Sequence, residues 1–408
     1  MNSQNEEVFL KNNFKKYYEN NFVDSVREVE RREFGYGVFG RKIADRNMAF
    51  SSSREMNNFL RQQSPLFFSY SAAYYKYPDR KPMGAKEILG SDIIYEFDAD
   101  DIDTACKEKH DSWKCQNGHS GNGSLENCPE CGERASVSQW FCEECLGEAK
   151  NQVFRLLNIL EKDFGFTKGI EINFSGKAGY HIRLQNDEIR NLGRNARIEL
   201  VDYLTASGIF FEKIGYGFSS TPMTCPNNNG AWRKRINSGL RELFEKSPER
   251  IAVFTGFSVR KIKKFFDSKE EVLSAMNRGV LFPFDGKKSK DFWKKILEFI
   301  AQSEMLPIDR QTSIDLHKIL RVPETLHGET GFLATKIPFE GLKKFNPFSD
   351  AVVFSDENLF GKALVKVFIS KAPRVSLCGQ SFGPFENEEA EVPLFCAVYL
   401  IGKGAVLK

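Results

Sequence analysis

The stretch Ile93-Ile94-Tyr95-Glu96-Phe97-Asp98-Ala99-Asp100-Asp101 runs an apolar strand straight into a cluster of carboxylates. A strand has a side-chain period of two, so Glu96, Asp98 and Asp100 project from one face if it continues that far. Like charges packed that closely repel unless a cation lies between them. Either the strand end frays into solvent or a metal ion is held there.

Composition bounds the alternatives. The chain has 408 residues, 41% of them hydrophobic and 28% charged, which suits a globular protein with a substantial core. A net charge of +3 argues against a wholesale polyanion binder but not against a local basic surface. No apolar run reaches the roughly 20 residues of a membrane span. The opening MNSQNEEVFLKNNFKKYYENN has no signal-peptide core, so a cytoplasmic protein is expected.

Six of the nine cysteines (Cys106, Cys115, Cys128, Cys131, Cys142 and Cys145) fall in one window with His110 and His119. Mixed Cys and His at these spacings suit tetrahedral zinc rather than disulfides. Eight ligands predict two structural Zn2+ ions. In a nested arrangement, Cys106, His110, Cys142 and Cys145 hold one ion, and Cys115, His119, Cys128 and Cys131 the other. The alternative groups the first four ligands apart from the last four. Cys225, Cys378 and Cys396 read as ordinary buried thiols.

Along the chain, helical character extends to about residue 60, interrupted by Gly35, Gly37 and Gly40. PLFFSYSAAYYKYP reads as strand. GEAKNQVFRLLNILEKDFG has apolar residues at helical spacing. GIEINFSGKAGYHIRL reads as strand, glycine turn, strand. Residues 186 to about 305 are rich in Lys, Arg, Glu and Leu, and predict a helical insertion. The following IDRQTSIDLHKILRVPETLHGETGFLATKI returns to mixed structure, and EVPLFCAVYLIGKGAVLK reads as a buried strand or helix. These elements divide the chain into 1–105, 146–190 and 306–408 as three parts of one core, with a zinc insertion at 106–145 and a helical subdomain at 191–305.

In Ser175-Gly176-Lys177-Ala178-Gly179-Tyr180-His181, glycines allow close backbone approach and Ser175, Lys177 and His181 supply donors suited to a triphosphate. A plain turn is the competing reading. Arg321-Val-Pro-Glu-Thr-Leu-His327 places further donors around a fixed turn, with His317 and Lys318 just before it and Asp309 and Asp315 upstream. Separated carboxylates with scattered cations are the parts of a two-metal nucleotidyl-transfer site. Basic clusters at 232–235, 260–264 and 287–290 are solvated faces or, together, a track for a nucleic-acid backbone.

The order acidic strand, Cys/His cluster, SGKAGYHI, helical insertion and HKILRVPETLHGETG resembles the small catalytic subunit of archaeal and eukaryotic DNA primases. REFGYGVF, SYSAAYYKYP and SFGPFENEE…VPLFCAVYLIGKG look like archaeal members, so the resemblance spans nearly the whole chain. It implies a mixed α/β (α+β) catalytic core with a mixed sheet, a zinc-binding insertion and a helical subdomain. The implied activity is template-directed, de novo synthesis of short RNA primers from ribonucleoside triphosphates on single-stranded DNA. Mg2+ or Mn2+ would be the catalytic ion and a primase large subunit the partner in a heterodimer.

In that family an Asp-x-Asp strand and a later Asp bind the metals. Here the pair is Glu96 and Asp98 or Asp98 and Asp100, according to register. The third carboxylate is expected at Asp309, with Asp315 in reserve. Ser175, Lys177, His181, Arg321 and His327 would contact the nucleotide, with Lys318 and His317 as neighbours. Ala178 departs from the basic residue that many members carry around that turn. A repair or mobile-element primase-polymerase, a non-catalytic zinc-ribbon nucleic-acid-binding protein and an inactive homologue are the rival readings.

Overall fold

The computed structural model describes residues 3–226, 230–362 and 364–406. Asn227, Asn228 and Asn229 of the expected helical insertion, and the last two residues of the C-terminal segment, lie outside the described residues. The chain forms two compact units. One comprises Met1–Phe154, Lys168–Arg197 and Asp309–Lys408, and the other Arg155–Thr167 and Ile198–Ile308.

The first unit is built on two antiparallel sheets. After a helix at Ser3–Asn20, Phe34–Val38 (β1) and Arg41–Met48 (β2) form a hairpin, and Phe67–Ser71 (β3) pairs with β1 on its other side. Ala73–Tyr75 (β4) and Ile88–Ser91 (β5) make a small ribbon that leads into Ile93–Asp98 (β6). The Cys/His window holds a three-stranded sheet of Ser112–Cys115 (β7), Ser120–Asn122 (β8) and Ala135–Ser138 (β9). Ile170–Phe174 (β10) and Gly179–Leu184 (β11) follow the helix Glu143–Phe164. Ile319–Arg321 (β12) and Thr335–Ile337 (β13) then complete the two sheets, in the orders β12-β3-β1-β2 and β13-β10-β11-β6.

Two exposed hairpins follow: Leu364–Ala372 (β14) pairs with Phe385–Pro393 (β17), enclosing Val375–Leu377 (β15) paired with Gln380–Phe382 (β16). The chain then enters a buried helix, Leu394–Gly402. Neither the β1–β2 hairpin nor these C-terminal hairpins stood out in the sequence.

The two sheets meet across a buried ion cluster. Asp92, ahead of β6, accepts from Arg32 at 3.0 Å and from Arg183 of β11 at 2.9 Å, and Arg183 lies 4.1 Å over the ring of Tyr70 in β3. Tyr74 adds its hydroxyl to the same carboxylate at 3.1 Å. A charge this deep is tolerated because two guanidiniums and a hydroxyl donate to it, with a donor on each carboxylate oxygen. Ile94 of β6 joins Ala72 and Leu320 in an apolar cluster beside it. The face of β11 that carries Arg183 also carries His181, so this cluster fixes the height of the residues nearer the strand end.

The second unit is helical, around an aromatic core that includes Phe265, Phe284, Phe292 and Trp293. Trp293 is fully buried and its indole N–H donates to the Phe282 carbonyl at 2.8 Å. Within the basic clusters, Arg235 pairs with Asp163 and Lys261 with Asp285, whereas Lys263, Lys264, Lys287, Lys288 and Lys290 are exposed. No helix among the described residues is long and apolar enough to cross a membrane.

Candidate functional site

Alternation along β6 puts Ile94, Glu96 and Asp98 on one face, and the pairing with β11 sets His181 opposite Glu96 and Gly179 opposite Asp98. Any side chain at position 179 would fall within van der Waals contact of the Phe97 carbonyl and the Asp98 carboxylate, so a glycine is required there. Glu96 lies between two side chains: Lys318 Nζ is 3.3 Å from one oxygen and His181 Nε2 is 3.7 Å from the other, and burial lowers the His181 pKa, so the lysine carries the charge. Asp98 has the opposite surroundings. Burial, then the carboxylates of Glu96, Asp100 and Asp101, push its pKa up to about 7, against Lys177.

Asp100 is not on the strand. It lies in the 3-10 turn Ala99–Asp101, and its Oδ1 is buried with no hydrogen-bond partner among the described residues. Asp101 beside it is raised by partial burial and by Asp100 and Asp309. Asp309 caps the short helix Arg310–Ile314, which packs on β6, and accepts from the N–H groups of Gln311 and Thr312 and from the Thr312 hydroxyl. Despite the opposing effect of burial, those donors hold Asp309 below the usual carboxylate range. The result is a group of carboxylates at one strand end that would accept a cation.

Cations gather on the adjoining turns. In the β10–β11 turn, Ser175 Oγ accepts from the N–H groups of Lys177, Ala178 and Gly179 at 3.2–3.4 Å, which closes the loop. Lys177 Nζ pairs with Glu329 at 2.8 Å, and Lys42 reaches the other oxygen of Glu329 at 3.4 Å. Thr330 ties the two turns together through the Gly176 carbonyl at 2.5 Å. His327 accepts the Glu329 N–H on Nδ1 at 3.1 Å. Burial and then Arg321 hold it well below the usual histidine range, so it is neutral and carries its proton on Nε2.

Arg321 stands 5.0 Å over the Phe67 ring with Nε and one Nη buried and without a partner among the described residues. Burial brings its pKa down to about 10. Buried donors without acceptors are costly, and an anion would satisfy them.

The Cys/His window forms two tetrads: Cys106, His110, Cys142 and Cys145, and Cys115, His119, Cys128 and Cys131, each with its ligand atoms within 4.8 Å of one another. The Cys142–Cys145 and Cys115–Cys131 sulfurs are 3.7 and 3.8 Å apart. About 3.8 Å is the tetrahedral edge expected for Zn–S bonds of ~2.3 Å. His110 turns Nε2 to the sulfurs and holds Nδ1 2.8 Å from Asp111, the carboxylate support usual for a ligating imidazole. His119 presents Nδ1 instead, with Glu130 at 3.4 Å from Nε2. Cys142 and Cys145 flank the start of the helix Glu143–Phe164, where the helix dipole favours thiolates. Both tetrads could hold zinc.

The structure thus brings Glu96, Asp98, Asp100, Asp309, Lys177, His181, Lys318, Arg321 and His327 into one region, with the Ser175 hydroxyl accepting within its own turn. Asp315 is exposed, accepting from the His317 N–H, and His317 stacks on Tyr75, whose hydroxyl meets Nδ1 at 2.8 Å. Asp101, Lys42, Glu329 and Thr330 were missed. The acidic run DADD and the HGETG turn carried a signal for three of them; Lys42 stands in a segment with no local pattern.

The family model described as DNA primase small subunit matches residues 133–338. A DNA primase small subunit PriS from Cenarchaeum symbiosum (strain A) is 31% identical over 405 residues, covering 97% of each chain. The protein of the same name from Nitrosopumilus maritimus (strain SCM1) is 29% identical, covering 97% of this chain and 96% of its own. That from Methanothrix thermoacetophila is 28% identical and covers 97% of both.

Proposed function

This chain belongs to the DNA primase small-subunit family, and from that membership we propose a template-directed primer synthesis centred on Asp98. The observation that carries the reading is the meeting of two opposite sets on one face. Glu96 and Asp98 on β6, Asp100 in the turn that follows and Asp309 at the start of the helix packed on β6 form one carboxylate group, and Lys177 and the Arg321 donors, unpartnered among the described residues, lie beside it.

Mg2+ or Mn2+ held by Asp98 with Glu96 and Asp309 would activate a 3′-hydroxyl and neutralise departing pyrophosphate. The chain's own groups do the rest. Arg321 and Lys177 bind phosphate oxygens, Arg321 through donors that have no acceptor among the described residues. Neutral His327 donates from Nε2. Lys318 and His181 keep the Glu96 carboxylate aimed along the strand face. Glu96 reaches one methylene further than aspartate, and its position on the strand pairs it with Asp98, leaving Asp100 in the turn beyond.

Two Zn2+ ions in the tetrads would be scaffolding, since four protein ligands leave no open coordination position. Single-stranded DNA as template, ribonucleoside triphosphates as substrates, a large-subunit partner and a cytoplasmic setting belong to the same reading.

The test is primer synthesis on single-stranded DNA with labelled ATP and Mn2+, with a large subunit supplied. Short products are expected from wild type, with a fall of at least ~100-fold for Asp98→Asn and for Glu96→Gln. Template binding without synthesis by the wild type would favour the zinc-ribbon binding module instead.

A further inference from the structure

We propose that Lys403, carried by the end of the C-terminal helix, is a further phosphate-binding residue of the nucleotide site, acting beside Lys177 on the terminal phosphate. This rests on the reading of that site as one for nucleoside triphosphates.

The helix Leu394–Gly402 is buried from Phe395 to Ile401, and Tyr399 stacks on Phe332 at 5.2 Å, just beyond the HGETG turn. At its end Gly402 lies so close to the Gly328 and Glu329 backbone that a Cβ there would sit 2.8 Å from the Glu329 carbonyl oxygen. The contact fixes Lys403 against the turn whose carboxylate holds Lys177. Lys403 Nζ then lies 5.1 Å from the Phe141 ring centroid, and Lys177 Nζ lies 6.0 Å from the same centroid. Two ammonium groups share one aromatic ring.

Their partners differ. Lys177 is neutralised by Glu329 at 2.8 Å. Lys403 donates one N–H to the Gln139 carbonyl at 2.5 Å and stands 5.2 Å over Trp140, but no carboxylate among the described residues is within ion-pairing distance of it. Burial and then Lys177 bring its pKa down to about 8, the sign of a charge short of compensation. Lys403, Lys177, Lys42 and Arg321 all act on His327, and Glu329 is the carboxylate that pairs with two of them. That excess of positive charge fits a polyphosphate, whose terminal group carries the most negative charge. Glu329 and Asp100 act on both lysines, while Asp98 acts on Lys177 and Asp111 of the zinc module on Lys403, so Lys403 lies toward the zinc module, where it also meets the Gln139 carbonyl.

The experiment measures Mg2+-ATP and AMP binding to the full chain and to Lys403→Gln, Lys403→Met and Lys403→Arg. Loss of one charge-assisted contact should weaken ATP about tenfold in the Gln and Met variants, leave AMP within about twofold, and be largely restored by Arg. Amine acetylation of the wild type, read by mass spectrometry, needs no variant to fold: ATP should protect both Lys177 and Lys403, and AMP neither. ATP protection of Lys177 with unchanged Lys403 labelling, or unchanged ATP binding in Lys403→Gln, overturns the assignment and leaves the nucleotide site standing. No ATP binding by the wild type and no protection of either lysine overturns the nucleotide reading as well.

Discussion

At the scale of the residue, Asp98 decides most. Its carboxyl is raised to about 7 in the fold by burial and by neighbouring carboxylates, against an unfolded value of 3.8. The folded state therefore binds the proton more tightly, so this group favours folding at low pH and opposes it increasingly as pH rises through 3.8 toward 7. In metal-free protein, Asp98→Asn should raise stability by roughly 1–2 kcal/mol at pH 8, after discounting for solvent screening, and by almost nothing at pH 4. Thermal unfolding at the two pH values checks this; an Asn variant less stable at pH 8 would mean the carboxylate is already compensated. The cluster was visible in the sequence because DADD follows an apolar strand. The distinction between Glu96 on the strand and Asp100 in the turn was not, since only the pairing with β11 shows where the strand ends.

At the scale of the element, the β10–β11 turn and the zinc window are the informative pieces. Gly179→Ala would push against the Phe97 carbonyl and Asp98, and is expected to cut primer synthesis by at least ~10-fold while costing about 1–3 kcal/mol of stability. Retained synthesis with an unchanged melting temperature would contradict that packing. The two tetrads are separable: Cys128→Ser should lose one zinc per chain and Cys145→Ser the other. Cys145 is fully buried at the start of the long helix, so its loss should lower the melting temperature further. Zinc content by mass spectrometry decides, and loss of both ions from either variant would show interlocked ligands.

Strand, glycine turn and strand were legible in GIEINFSGKAGYHIRL because apolar residues recur at every second position on both sides of the glycine turn, Ile170, Ile172 and Phe174 before it and Tyr180, Ile182 and Leu184 after it. The β1–β2 hairpin was not, because RKIADRNM is largely solvent-exposed and shows no clean alternation. FENEEAEVP likewise forms β17 with glutamates at four of its nine positions, supported by its pairing with β14 rather than by a core.

At the scale of the molecule, the first unit depends on contacts between distant segments. Asp92 joins Arg32 and Arg183, 60 and 91 residues away, and no window of sequence announces such a cluster. Asp92→Asn would leave two buried guanidiniums without a counter-charge. Removing one partner of a buried pair typically costs ~3–5 kcal/mol, so denaturant unfolding should show a loss of that order. A change below about 1 kcal/mol would mean that water already reaches the cluster. Lys403 was hidden for the same reason, since only the packing of Gly402 on the HGETG turn brings it to the Phe141 ring that Lys177 shares.

The carboxylates at the end of β6 are expected to hold the divalent ion beside the bound nucleotide. Titration of Mn2+ followed by electron paramagnetic resonance, with ATP present, tests it in wild type, Asp98→Asn and the exposed control Asp315→Asn. Asp98→Asn should weaken Mn2+ binding at least ~10-fold with Asp315→Asn unchanged. Equal Mn2+ affinity in wild type and Asp98→Asn would place the ion elsewhere and contradict the assignment of this strand as the metal-binding face.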